Sequence, residues 1–363
     1  MTSPIRIGMI GLSGPGNWAV NAHLPYLKSN DQFKIVAVCN SSVDSAQKAI
    51  KTYDLGAETK AYGSPEDIAK DPNVQLVVCS VRVDRHAATI TPALKAGKDV
   101  FVEWPLAKNL EQAEELLRLS KEGKVKTSIV GLQGRHAPLV HKVKALIKEG
   151  RIGKVLSSTW VGQAGNLGEA ETVEYITDKA VGGNVVTIHF GHSVDYILQT
   201  LGEFETFHGL LGNQRKTIKL LNPDGSVLDK AHKKTSEDHI MIHGRLKDSG
   251  ALLSINMRGG KPFKDAPGLD WRIYGETGEI RFTAGGPFVT MGYPDMTISL
   301  HDFSKDTVEK IEIPEDLEAL PMPARNVGRI YNAIATGDLS LCCDFEDAVR
   351  RHRFIDELYK ENP

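Results

Sequence analysis

Cysteine is scarce in this 363-residue sequence, which contains only Cys39, Cys79, Cys342 and Cys343. The first two end apolar runs and the last two are adjacent, so neither a disulfide framework nor a CxxC metal pattern emerges, and all four read as reduced thiols. Excess charge is missing too. A formal net charge of -2 provides no electrostatic drive towards nucleic acid or an anionic membrane, and neither is expected as a partner. No apolar run approaches the roughly 20 residues of a membrane span. Met1-Thr2-Ser3-Pro4 leads straight into a strand without a signal-peptide pattern, so the cytoplasm is the expected compartment, with the nucleus also open. Internal repeats and low-complexity tracts are absent.

What is present is enough chain, with 41% hydrophobic residues, to bury two cores, and a two-domain organisation is expected. The first part alternates short β-branched runs with amphipathic stretches. Strands are read at Ile5 to Ile10, Lys34 to Cys39, Gln75 to Cys79, Asp99 to Glu103 and Thr127 to Leu132. Between them, Ser64-Pro65-Glu66-Asp67 starts a helix with Pro at its first position and acids in its first turn, and Leu110, Ala113, Leu116 and Leu117 recur at helical spacing. The class is α/β, a doubly wound parallel sheet of Rossmann type, assigned to residues 1–135.

From Arg151 to Gly153 onward, turn residues separate longer strands. Candidates are Val155 to Gly162, Phe207 to Gly212, His239 to Leu246, Leu252 to Arg258, Asp270 to Gly275 and Glu279 to Thr283. No helices separate the later ones, which predicts an α+β domain on a mostly antiparallel open sheet, assigned to residues 136–363. Two tail helices, Ala324 to Ala335 and Phe345 to Lys360, are free to pack back on the first domain. An open sheet often buries its spare face against another subunit. A homo-oligomer, dimer or tetramer, is therefore expected through it, the alternative being cover from the domain's own helices.

Gly11-Leu12-Ser13-Gly14-Pro15-Gly16 lies directly after the first strand and before a helix, where a dinucleotide-binding fold needs glycines so that backbone can approach a pyrophosphate at a helix N-terminus. Ser13 stands where strict GxGxxG has its middle Gly, and its hydroxyl is suited to donate to phosphate. The second strand ends in Cys39-Asn40-Ser41-Ser42, with no carboxylate until Asp44 to repel a ribose 2′-phosphate and no Arg to bind one. The expected cofactor is NADP or NAD, with a tilt to NADP.

The Gly-rich turn, then Val100-Phe101-Val102-Glu103-Trp104-Pro105-Leu106, then Gly182-Gly183 leading to His192 and Asp195, resembles the glucose-fructose oxidoreductase and inositol dehydrogenase (Gfo/Idh/MocA) family over the whole chain. Gly11-Leu12-Ser13, Asn17-Trp18-Ala19, Leu132-Gln133-Gly134-Arg135, Phe190-Gly191-His192 and Gly259-Gly260-Lys261-Pro262 are similar in particular to its fungal galactose-pathway repressor-like branch. The resemblance implies a Rossmann domain joined to a mostly antiparallel sheet domain, and NAD(P)-dependent oxidation or reduction of sugars, polyols and related small molecules. It places Gly11, Ser13, Gly14, Gly16, Asn17, Trp18, Asn40, Ser41, Ser80, Val81, Arg82, His86, Glu103, Trp104 and Gln133 at the cofactor.

Two departures matter. The family usually has Glu-Lys-Pro where this chain has Glu103-Trp104-Pro105, and an indole cannot replace an ammonium in proton transfer. Trp104 is suited instead to stack on a nicotinamide or sugar face, or to pack beneath the cofactor, with a cis bond before Pro105 left open. The family's helical Asp aligns with Ile188, while His192 keeps the place of an active-site His. With an ordinary pKa near ~6.5, His192 is the expected acid/base residue. Trp104, Arg135, Lys179, His189, His192 and Lys261 are candidates to meet a substrate, the lysines as cations that Trp104 does not supply. No metal is expected, because His189 and His192 lack a carboxylate or thiolate partner at ligand spacing. Three readings remain: a net oxidoreductase, a redox-neutral enzyme that oxidises its substrate transiently, or a cofactor-sensing transcriptional regulator that binds a protein partner without catalysis.

Overall fold

A computed structural model describes residues 3–165 and 167–362; Met1 and Thr2, part of the stretch read above for a leader, lie outside the described residues. The chain divides into two compact units, Met1–Gln133 with Leu317–Arg353, and Gly134–Asp316 with Phe354–Pro363.

The first unit is built on β1 (Ile5–Ile10), α1 (Leu24–Ser29), β2 (Phe33–Cys39), α2 (Val43–Thr52), β3 (Lys60–Tyr62), α3 (Pro65–Lys70), β4 (Leu76–Cys79), α4 (His86–Lys95), β5 (Asp99–Glu103), α5 (Leu110–Glu122) and β6 (Ser128–Gly131). Its sheet runs β17-β6-β5-β4-β1-β2-β3, where β17 is Cys343–Asp344, and every pair is parallel except β17 with β6. β4 is buried throughout and β1 and β5 mostly so, which is why these strands read as continuous apolar runs. Helix starts are fixed locally: the side chains of Ser42, Ser64 and Asn109 accept from backbone N–H groups three residues on, capping α2, α3 and α5. The strand order reverses at β1, between β4 and β2, and ligands in such sheets bind outside the carboxyl ends of the strands at that switch. In the core of this unit, Tyr26 stacks on Tyr331 of α8 (Met322–Thr336) with ring centroids 5.7 Å apart.

The second unit begins with α6 (Pro138–Lys148) and β7 (Val155–Gln163), passes through α7 (Gly191–Leu201), and continues as β8 (Phe204–Gly212), β9 (Thr217–Leu221), β10 (Val227–Lys233), β11 (His239–Leu246), β12 (Leu252–Arg258), β13 (Leu269–Gly275), β14 (Gly278–Ala284), β15 (Thr297–Asp302) and β16 (Thr307–Ile311). The main sheet runs β16-β15-β14-β13-β7-β12-β11-β8, antiparallel except for the parallel pair β12 with β7, and β9 and β10 form a separate hairpin. One face carries the core. Trp160 and Trp271 are fully buried there, their indole N–H groups satisfied by Tyr196 Oη of α7 at 2.8 Å and Ser158 Oγ at 3.0 Å. Along the strands burial alternates, and the other face presents Leu210, Met241, Leu252 and Tyr274 to solvent. The last helix, α9 (Phe345–Glu361), sends Phe354 against Phe190, Phe204 and Phe207 in this unit.

Candidate functional site

The Gly-rich turn leaves β1 at the switch point. Gly11 has φ +95°, and a Cβ there would lie 2.3 Å from Ser80 O, so only glycine lets the turn pass the end of β4. A Cβ on Gly14 or Gly16 would meet nothing within 4 Å, and that open space above the loop is the room a pyrophosphate needs. Asn17 Oδ1 accepts from Ala19 N at 2.9 Å, starting the π-helical turn Ala19–His23 that leads into α1.

Beyond the carboxyl ends of β1, β2 and β6, three buried polar atoms lack protein partners among the described residues: Trp18 Nε1, Asn40 Oδ1 and Gln133 Oε1. They offer one donor and two acceptors, and together with the open glycine cradle they fit a dinucleotide, whose hydroxyl, amide and phosphate groups would satisfy them. Other expected contacts are held by the protein. The Arg82 guanidinium is bidentate on Asp84 at 2.6 and 2.7 Å, which lowers the Asp84 pKa. The His86 ring lies 2.8 Å from Pro105 O and 2.9 Å from Val81 O, bridging the chain beyond β4 and β5, and burial lowers its pKa. Ser80 is buried, Val81 is half-buried, and Ser41 is exposed beside Asn40.

Glu103 and Trp104 close the β5 edge. Glu103 Oε1 accepts from His23 Nε2 at 2.8 Å, which leaves His23 Nδ1 to accept from the Tyr331 hydroxyl, also at 2.8 Å. The Glu103 carboxylate fills space that a side chain at 131 would take, since a Cβ on Gly131 would fall 2.7 Å from Glu103 Oε2. Trp104, joined to Pro105 by a cis bond, is 4% exposed and tilts against His352 of α9 with centroids 4.8 Å apart. The indole is therefore already packed against a protein ring. Burial, with a smaller contribution from His86, drives the His352 pKa down to about 3, so its ring is neutral near pH 7.

In the second unit, Asn184 caps a π-helical turn, Val185–Phe190, accepting from Val186 N and Thr187 N while Thr187 Oγ1 accepts from Asn184 N. That turn and the start of α7 carry His189 and His192. Burial, and to a lesser extent His192, lower the His189 pKa to about 4, and its ring packs on Phe288 at 4.9 Å. His189 is thus neutral at pH 7 beside His192. One turn beyond His192, Asp195 is gripped by Arg135 through Nε at 2.8 Å and Nη2 at 2.9 Å, both side chains buried. Arg135, read above as a candidate to meet a substrate, thus has two of its guanidinium nitrogens on α7. Lys179 is likewise engaged, its ammonium 2.6 Å from Glu237 Oε1 and 4.3 Å from the Tyr359 ring centre. Lys261 is exposed after β12.

His23, Tyr331 and His352 escaped the sequence reading. Their partners stand 80 to 308 positions away, and the one local signal was a histidine in the first turn after the glycine loop. Among the described residues no group of His, Cys, Asp and Glu could hold a metal ion, and no helix is long and apolar enough to cross a membrane.

Residues 5–131 match the family model described as an oxidoreductase family with an NAD-binding Rossmann fold, and residues 138–284 match the Gal80p C-terminal domain. The dehydrogenase aclE of Aspergillus oryzae is 32% identical over 368 aligned residues, spanning 99% of this chain and 96% of the relative. The galactose/lactose metabolism regulatory protein GAL80 of Saccharomyces cerevisiae is 31% identical over 299 residues, spanning 79% of this chain and 68% of the relative. Among solved structures, a super-repressor mutant of Gal80p from Saccharomyces cerevisiae matches with a TM-score of 0.89 at 26% identity, over 99% of this chain and 96% of that one.

Proposed function

This chain belongs to the Gfo/Idh/MocA oxidoreductase family, with a second domain of the Gal80p type, and from that premise we propose that it is an NAD(P)-dependent oxidoreductase acting on a sugar, polyol or related carbonyl compound. The observation that carries the proposal is the histidine pair on the turn into α7: a neutral, desolvated His189 beside His192, which is one turn from the Arg135–Asp195 clamp.

When bound, the nicotinamide supplies hydride exchange with a substrate carbon. The glycine turn and Trp18 Nε1 hold the diphosphate side, Asn40 the adenosine ribose, and Gln133 the nicotinamide side, with Glu103 positioned by His23. Trp104 excludes water and provides no proton. His192 takes the proton of a substrate hydroxyl during oxidation and returns it during reduction. The Arg135 clamp holds the helix that aims it. A panel of sugars, polyols and ketones with each dinucleotide, read by nicotinamide absorbance, tests this reading. Substrate-dependent conversion supports it, and silence across the panel in both directions counts against it.

A second reading, a cofactor-sensing regulator, draws on a specific observation: Trp104 stands where the family's lysine works and is packed on His352. A regulator would bind a protein partner with an affinity that responds to dinucleotide, and affinity capture with and without NAD(P) separates the two readings. We also assign self-association to the exposed face of the large sheet, where Leu210 is 64% exposed.

A further inference from the structure

Asn40, at the end of β2, has only one way to meet a ligand. Its Nδ2 donates to Leu12 O at 2.8 Å and to Ser45 O at 3.2 Å. Both partners are carbonyls, which accept only, so the amide orientation is fixed and both of its N–H groups are occupied. What remains is Oδ1, buried and without a partner among the described residues. The backbone is pinned as well, with Asn40 N donating to Tyr62 O at 3.2 Å. A side chain anchored in this way presents an acceptor and no donor.

We propose that Asn40 makes this site select NAD(H) over NADP(H), its Oδ1 accepting from the ribose 2′-hydroxyl and facing a 2′-phosphate with oxygen against oxygen. The inference rests on the dinucleotide reading above and gives that site a preference. It runs against the tilt to NADP, which rested on the lack of a carboxylate before Asp44; the anchored amide presents an oxygen acceptor in that place and no N–H group to a phosphate. The surrounding charge acts in the same direction. Residues 40–45 contain no Lys or Arg, and Asp44 already occupies the first turn of α2. Asp67 and Glu66 of α3 add negative charge near the end of the strand, where burial chiefly, and these carboxylates to a lesser extent, raise the pKa of the adjacent Cys39. Arg82 is committed to Asp84.

The test is equilibrium binding of NADH and NADPH, read by nicotinamide fluorescence. The wild type should bind NADH at least about tenfold more tightly, the ratio expected when one nucleotide gains a hydrogen bond and the other leaves a buried acceptor facing an anion. Asn40→Ala should lose about tenfold in NADH affinity, but it also releases Leu12 and Ser45. The exposed double change Glu66→Gln with Asp67→Asn leaves Asn40 untouched, and it should strengthen NADPH binding severalfold with NADH unchanged. Equal affinity for the two nucleotides, or a preference for NADPH, would overturn the discrimination while leaving the dinucleotide site standing. Binding of neither would overturn both.

Discussion

Arg135 holds Asp195 through two hydrogen bonds of 2.8 and 2.9 Å, with 5% and 1% of the side chains exposed. Removing the guanidinium would strand a carboxylate in a site built for an ion pair. Arg135→Ala should therefore cost about 3 to 5 kcal/mol in urea unfolding. Arg135→Lys recovers only part of that, because an ammonium cannot make the planar two-point contact. A loss below about 1 kcal/mol would mean that the pair does not anchor α7.

The glycine turn separates folding from binding. Gly11→Ala drives a Cβ to 2.3 Å from Ser80 O at a positive φ and should destabilise the first unit by about 2 to 4 kcal/mol. Gly14→Asp enters open space, so stability should stay within about 0.5 kcal/mol while the carboxylate repels the diphosphate and weakens NADH binding more than about tenfold. Thermal melts with and without NADH distinguish the two.

His189 and His352 are held neutral, with pKa values of about 4 and about 3 against an ordinary 6.5. In both, the folded value lies below the unfolded one, so the unfolded chain binds more protons in between. Stability is complete above pH 6.5 and falls as the pH drops towards 4, by at most about 1.4 kcal/mol per pH unit for each ring. Urea midpoints at pH 7 and 5 measure the slope, and His352→Gln should flatten it. An unchanged slope would show that His352 does not contribute.

The self-association assigned to the large sheet predicts that Leu210→Asp with Met241→Lys yields monomers in sedimentation without loss of helical or strand signal. Wild type that already sediments as a monomer would remove the proposal.

The Rossmann half was legible because its strands are apolar on both faces and its helices begin at Ser, Pro and Asn caps; β1 and β5 have the bounds read from sequence. In the second unit, β11 and β12 were also read to the residue, while β9, β10, β15 and β16 were not. Lys and Asp crowd β10, and Lys and Glu crowd β16, where pairing with a neighbouring strand and not burial makes the strand; the alternation in Thr297-Ile298-Ser299-Leu300 was a signal left unused. The parallel pairing of β7 with β12 joins Ser157 to Leu252, a separation beyond what local pattern carries.

The same division holds at the site. The glycines stand out by type and by their place after β1, and Trp104 and His192 stand out as candidates through the family resemblance. The fate of Arg135 does not, because a guanidinium after a strand reads the same whether it meets a ligand or Asp195. Asn40 is a related case: its residue type leaves the cofactor open, and the carbonyls of Leu12 and Ser45 decide which end of the amide is left unpaired.

The most direct test of the central claim is single-turnover hydride transfer with a substrate found in the panel, comparing wild type with His192→Ala at equal dinucleotide occupancy. The account predicts a loss of roughly 100-fold to 10,000-fold in the transfer rate, with the dinucleotide dissociation constant unchanged. Equal rates for the two proteins would contradict it.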